Sequence, residues 1–476
     1  MAYIYGDRNQ ADLFPRSIED YVAQDDPVRA YDAFVESLDL LKLGIIYEEI
    51  QVGNPEYNPK AMLKLLIYGY SYGIRSSRKL ERACYHNISF IWLIAGLKPD
   101  YRTISRFRKN NKKPLKNLFK QCVKLCIKLN LIEGNTLFVD GSKIRANASI
   151  NSVWTKEKCE RYLVNIDERI ESILDECDAI DDKEQNASSL VKLSEELKDK
   201  QTLKLKVKDI MDEIEKEQLK SINSTDPECV NVKGRQGTHA GYNSQIVVDE
   251  KHGLIVNSDV VNENNDRNQF ADQIKQANET LGKSCKNACA DAGFANTREL
   301  KKIDGQNINV IVPSQEQESN KESELFNKKQ FEYDSKNDCY LCPQKNTLRF
   351  STINKDKQHR KYRITSKLLC LKCQFFGTCA KDKKGRTLSR LMDEETKLKL
   401  EDNYKTEQSQ AIYKLRKQKV ELPFGHIKLN LGVSSFLIRG LDGVRAEMSI
   451  FSSCFNIARL ITILGVSGFI KSVAFT

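Results

Sequence analysis

Three acidic residues of this 476-residue chain stand where an apolar run gives way to a turn or a helix. They are Asp140 in Leu137-Phe-Val-Asp-Gly-Ser142, Asp291 in Ala288-Cys-Ala-Asp-Ala-Gly-Phe294, and Glu421 in Lys419-Val-Glu-Leu-Pro-Phe-Gly425. A carboxylate at the end of an apolar strand does little for packing but is well placed to hold a divalent cation. Two such strand ends and one helix-borne glutamate are what two-metal phosphodiester chemistry requires. A second set of chemistry-bearing residues is the cysteine series Cys339, Cys342, Cys370, Cys373 and Cys379. Two Cys-x-x-Cys pairs within one short segment match the spacing of a zinc ribbon, with four thiolates around a tetrahedral ion. Five cysteines compete for four places. Cys342, Cys370, Cys373 and Cys379 are the first choice, because Cys342-Pro343 is read as the start of a short strand. Cys339 is a substitute, and His359 a weaker one.

These residues need elements to position them. Up to about residue 130 the pattern is helical. Asn58-Pro59 reads as an N-cap followed by proline in the first turn, and Met62, Leu65, Leu66 and Gly69 follow at helical spacing. A further helix is expected from Ser77, and residues 88–97 are apolar enough to be buried. Beyond Pro99, Arg102, Arg106 and Lys109 fall on adjoining turns of one helical face, the exposed basic side of a helix-turn-helix-like DNA-binding unit. Strands are expected at 136–140, 242–249 and 254–261, a helix from Asp266 to Leu281 with Asp266 as its cap, a strand leading into Asp291, and one at Val310. Between the first two strands, residues 155–230 form a charged helical hairpin, with apolar Leu163, Ile166, Ile170, Ile173, Leu203, Val207, Ile210 and Ile214. Cys122 and Cys126 read as packed helical residues. With the insertions removed, the element order is that of an α/β ribonuclease-H-like core, in which the first and fourth strands are neighbours and Asp140 and Asp291 converge. The expected division is a helical DNA-binding domain at 1–130, the core at 131–154 and 231–313, the hairpin at 155–230, a zinc-ribbon-like insertion at 314–395, and the glutamate helix with C-terminal helices at 396–476.

Composition sets the surroundings. Charged residues make up 30% of the chain and the net charge is +11, which favours a polyanionic partner. The N-terminus carries no basic stretch followed by an apolar one, so no secretory signal is read there. The apolar run 450–470 is broken by Asn456 and Arg459, so no membrane span is expected. Fourteen cysteines without a signal point to reduced thiols or metal ligands and a cytoplasmic setting.

Taken together and in order, these motifs resemble the DDE transposases of bacterial insertion sequences, in the branch with a cysteine-bearing insertion before the last acid. The resemblance runs over nearly the whole chain. It rests on the Tyr57-to-Tyr70 helix start, Val139-Asp140-Gly141-Ser142, Gly241-Tyr242-Asn243, Asp291-Ala292-Gly293-Phe294, and the stretch from Tyr413 through Arg416 and Glu421 to Lys428. The last stretch is similar to a tyrosine–arginine–glutamate–lysine signature. Four residues rather than three separate Arg416 from Glu421, which leaves Lys417 as a rival for the basic position. The resemblance implies DNA cutting and joining with two Mg²⁺, replaceable by Mn²⁺, held by Asp140, Asp291 and Glu421. It also implies phosphate contacts from Arg416 and Lys428, and a base stacked on Tyr413. The implied partners are double-stranded element ends and target DNA, bound by a homodimer in the nucleoid. Rival readings are a DNA-binding protein without catalysis and a nuclease that cuts without joining.

Overall fold

The computed structural model describes residues 17–45, 56–181, 187–234, 237–303, 306–319, 326–354 and 359–474. The N-terminal residues read for a signal lie outside them. Among the described residues the first α-helices are α1 (Pro27–Glu36), α2 (Leu40–Leu43), α3 (Pro59–Ser71), α4 (Ser77–His86), α5 (Ile88–Leu93), α6 (Tyr101–Asn110) and α7 (Lys112–Lys128). Asn58 caps α3 as expected, accepting from the Lys60 amide at 2.8 Å, with Pro59 in the first turn. The 88–97 segment is only partly buried: Phe90, Leu93 and Ile94 are inside, and Ile88 is exposed.

A mixed α/β unit follows. Its sheet contains β1 (Thr136–Arg145), β4 (Val230–Gly234), β5 (Gly237–Asp249), β6 (Ile255–Val261), β7 (Asn287–Cys289) and β8 (Asn309–Ile311). The order is β4-β5-β1-β7-β8, with β6 beside β4 on the outer edge of β5. β5 runs antiparallel to β1 and β6, whereas β7 and β8 are parallel to β1. A two-strand ribbon, β2 (Val153–Trp154) with β3 (Ile222–Asn223), forms the foot of the hairpin α8 (Lys156–Asp181) and α9 (Ala187–Lys216). The hairpin has its own core of Cys159, Ile166, Val207, Ile214 and Ile222; Leu203, expected in that seam, is exposed.

Two expectations around the sheet need correction. β1 continues five residues beyond Asp140, so this carboxylate sits within a strand, where burial passes from complete to partial. The helix expected from Asp266 starts later, as α10 (Phe270–Leu281), and Asp266 does not cap it. Asp266 instead accepts hydrogen bonds from Lys143, Asn243 and Gln245 across the sheet. α11 (Thr297–Ile303) and α12 (Gln315–Glu318) flank β8.

The cysteine-bearing insertion is a separate antiparallel sheet ordered β13-β12-β11-β10-β9. Its strands are β9 (Glu332–Asp334), β10 (Cys339–Leu341), β11 (Thr347–Asn354), β12 (His359–Ile364) and β13 (Thr387–Leu391), with α13 (Lys367–Leu371) between the last two. Its small core is Phe331, Tyr340, Leu348, Tyr362, Ile364 and Leu388. The chain then returns to the main sheet through α14 (Glu394–Lys405), α15 (Glu407–Gly425), a π-turn at His426–Asn430, and α16 (Leu441–Ala474).

α16 is long and apolar enough to cross a membrane by length and composition. Its first half is nevertheless core: Val444, Met448, Ile450, Phe451, Cys454, Ile457 and Leu460 have no exposed surface. Each such large side chain contributes roughly 1.5–3 kcal/mol through burial. They pack on α1, α3, α7 and β6, so one hydrophobic core runs from the N-terminal helices through the sheet to α16. Glu447, fully buried, pins this arrangement by accepting from the Leu437 and Ile438 amides and from Arg75. The helix is kinked at Gly465, whose φ of 69° is left-handed.

Candidate active site and cysteine centre

β1 and β7 pair in parallel through Thr136–Phe138 and Asn287–Cys289. Asp140 lies two residues beyond Phe138, and Asp291 two beyond Cys289. The alternation of a strand therefore brings both carboxylates to one level on one face. Behind Asp140, Leu137, Phe138 and Val139 are wholly buried. The adjoining glycines have steric reasons. A Cβ on Gly141 would stand 2.4 Å from Asp266 Oδ1 and 2.5 Å from Gln245 Nε2, which crowd the opposite face. A Cβ on Gly293 would stand 2.8 Å from Asp291 Oδ1, the oxygen that accepts the Gly293 amide.

α15 crosses the aspartate face and turns Tyr413, Arg416, Val420 and Phe424 inward at steps of three and four residues. Arg416 Nη2 donates to Asp140 Oδ1 at 3.0 Å and to Asp291 Oδ2 at 2.9 Å. Burial pushes the Asp140 carboxyl up to about 6; Arg416 opposes this and Asp291 adds to it. Burial works to lower the Arg416 pKa, but the two carboxylates prevail and hold it above its usual value. Arg416 Nε is buried with no hydrogen-bond partner, a condition that costs roughly 1–3 kcal/mol.

Glu421 does not join the aspartates. Five residues beyond Arg416, it lies about 140° around the helix. Its side chain is 65% exposed, with Lys417 Nζ 4.0 Å away. Lys417 is itself 78% exposed, so Arg416 is the basic residue at the site. Lys428, on the π-turn, donates to Ser142 Oγ at 2.5 Å, two residues beyond Asp140 on the same face of β1. Tyr413 is half-buried, its ring edge-on to Tyr404 at 5.1 Å and its hydroxyl 3.5 Å from Glu318. Asp266 cannot replace Glu421, because it sits behind the strand and is paired with Lys143.

The donor chemistry at Asp140 and Asp291 fits a hard divalent cation: two carboxylate oxygens flank one positively charged nitrogen. Among the described residues, no group of three or more His, Cys, Asp or Glu stands as a ready metal cage. That holds at the carboxylates and at the cysteines alike.

The cysteines partition clearly. Cys342, Cys370, Cys373 and Cys379 line one cavity of about 30 Å³ with Phe326 and Phe375. The Asn346 amide points at Cys342 Sγ from 3.3 Å and the Arg386 amide at Cys370 Sγ from 3.4 Å. Burial pushes the Cys379 thiol up, Arg386 opposes this, and the other three cysteines add to it. Cys342-Pro343 follows β10 and does not begin a strand. Cys339, buried on β10 opposite Asp334 and Arg349, lies outside the cavity. His359 lines a different cleft, with Arg267 and Arg298. Cys122 and Cys126 are buried in α7.

On α6, Arg102, Arg106 and Lys109 are exposed, while Ile104 and Arg108 face inward. Arg108 braces the helices through the Tyr70 hydroxyl and the Arg75 carbonyl. Sequence reasoning missed Arg78 and Tyr101: Arg78 stacks 5.2 Å from the Tyr101 ring, and Arg102 Nε donates to its hydroxyl at 3.2 Å. Arg78 in the first turn of α4, after Ser76-Ser77, was the available signal.

Residues 16–110 match the family described as a transposase domain (DUF772), and residues 341–461 match the family described as a transposase DDE domain. The first match takes in the basic face of α6. The second takes in the cavity cysteines, Arg416, Glu421, Lys428 and the buried half of α16. Asp140 and Asp291 lie between the two matches. The two matches, in this order along the chain, support an insertion-sequence DDE transposase. No curated protein and no solved structure matches it.

Proposed function

We propose that this transposase binds the ends of its insertion sequence and cuts and joins DNA at a site built from Asp140, Asp291 and Glu421. The observation that carries the reading is the convergence of Asp140 and Asp291 on neighbouring parallel strands, beneath the helix that carries Glu421. The strand order, with three antiparallel strands followed by two parallel to the first, supports a ribonuclease-H-like core. Bound Mg²⁺ or Mn²⁺ ions would activate water and offset charge on the departing 3′ oxygen. Asp140 and Asp291 would hold the ions, with Glu421 completing the set once turned inward. Lys428, beside Ser142, would meet phosphate near the cut, a role its nearness to Asp140 supports. The free 3′-hydroxyl then serves as nucleophile toward target DNA, so no protein side chain needs to be the nucleophile. The exposed cations of α6, with Arg78 and Tyr101, support DNA contact by the N-terminal helices. The cavity cysteines, with amides aimed at two of their sulfurs, support a structural Zn²⁺.

The outward position of Glu421 favours one rival, a protein that binds element ends without cutting them. A labelled DNA fragment carrying the native ends, incubated with Mg²⁺ and either wild type or Glu421→Gln, separates the two. Nicking at the element boundary by wild type alone supports the transposase site. Binding by both without nicking supports the rival, and nicking without strand joining supports a nuclease.

A further inference from the structure

Asp140 and Asp291 both face Arg416, with the Asp140 side chain 18% and the Asp291 side chain 33% exposed. One guanidinium nitrogen lies 3.0 and 2.9 Å from an oxygen of each carboxylate. A cation shared by the two aspartates has to occupy that same place, and two positive centres cannot share it at contact distance. The seat is incompletely made for an arginine. Settled arginine–carboxylate pairs use parallel N–H donors, whereas here Nη2 serves both aspartates and Nε is buried without a partner. The same helix holds Glu421 out in solvent beside Lys417.

We propose that Arg416 closes the cation site of the DNA-free protein, and that loading the site requires Arg416 to leave as Glu421 turns in. This rests on the reading of Asp140 and Asp291 as metal ligands. α15 carries the means for the exchange. An α-helix sets residues five apart about 140° from one another, whereas a π-turn, with its i to i+5 bonding, brings them to one face. α15 already runs into such a turn at His426–Asn430 and contains Pro423, which has no N–H to bond within the helix. Moving the extra residue of that turn to between Arg416 and Glu421 rotates Glu421 toward the sheet without unwinding the helix. Arg416 is thus a gating residue, and its guanidinium competes with the ion it guards against.

The test is Mn²⁺ binding to the full chain without DNA, measured by titration calorimetry for wild type, Arg416→Gln, and Arg416→Gln combined with Asp140→Asn. The expected result is a Kd at least tenfold lower for Arg416→Gln, with the gain lost in the double variant. Equal or weaker Mn²⁺ binding by Arg416→Gln, still dependent on Asp140, overturns the gate and leaves the metal-site reading standing. Mn²⁺ binding as tight in the double variant as in Arg416→Gln overturns both. Wild type offers a second readout that does not depend on a variant folding. Hydrogen exchange across residues 413–424 is expected to rise when Mn²⁺ is added, and unchanged exchange at saturating Mn²⁺ overturns the exchange of partners.

Discussion

Arg416 and Glu421 sit five residues apart on one helix and meet opposite surroundings. Arg416 is 13% exposed and bound to both aspartates; Glu421 is 65% exposed. A side chain so lightly held contributes little to folding. Glu421→Gln is therefore expected to leave the unfolding free energy within about 0.5 kcal/mol of wild type while lowering DNA nicking by at least ~10²-fold, as loss of a metal ligand requires. Parallel denaturation and cleavage assays check this, and a stable variant with full cleavage would remove Glu421 from the site.

Asp140→Asn and Asp291→Asn are expected to abolish cleavage, by about 10³-fold or more if several kcal/mol of metal-assisted stabilisation are lost. Binding to element ends should stay within a fewfold of wild type, because neither aspartate contacts the N-terminal basic face. Gel-shift and nicking assays on the same preparations separate the two. Cleavage that survives either change argues against the site.

The glycines beside the two aspartates should respond differently. Gly141→Ala forces a Cβ onto Asp266 and Gln245, so a destabilisation of about 1–3 kcal/mol is expected. Gly293→Ala meets only the end of the Asp291 side chain, so it should move that carboxylate and impair cleavage at nearly normal stability. Denaturant midpoints and nicking rates for the pair decide it; the reverse pattern contradicts the packing described here.

Purified protein is expected to carry one zinc per chain. Cys370→Ser with Cys373→Ser should remove it and lower folded yield, whereas Cys339→Ser should retain it, since Cys339 lies outside the cavity. Elemental analysis reads this directly. Zinc-free wild type, or loss of zinc from Cys339→Ser, contradicts the assignment.

Replacing Arg102, Arg106 and Lys109 together by alanine is expected to weaken end binding and to flatten its dependence on salt. Each lost phosphate contact removes about 0.9 from the slope of log K against log salt. An unchanged slope places the DNA elsewhere.

The sequence carried the strands well. The β-rich runs at 136, 242 and 254 are apolar and bounded by turns, and the neighbouring positions of β1 and β7 follow from element order. Other features depend on phase, which a motif does not encode. Whether Arg416 or Lys417 faces the sheet is a matter of 100° of helix, and the outward turn of Glu421 comes from its five-residue offset. Cys339 and Cys342 have the spacing of a knuckle, but a strand running from one toward the other sends residues three apart to opposite faces. The role of Asp266 was hidden because its partners, Lys143, Asn243 and Gln245, come from two distant strands.

The buried half of α16 has a practical consequence for re-engineering. Because its side chains and Glu447 complete the packing of α1, α3 and α7, the front of the chain is not a detachable module. A chimera that grafts another protein's first hundred residues onto this catalytic body inherits a mismatched spine. Retargeting by module exchange would have to carry the two ends of the polypeptide together as one cassette.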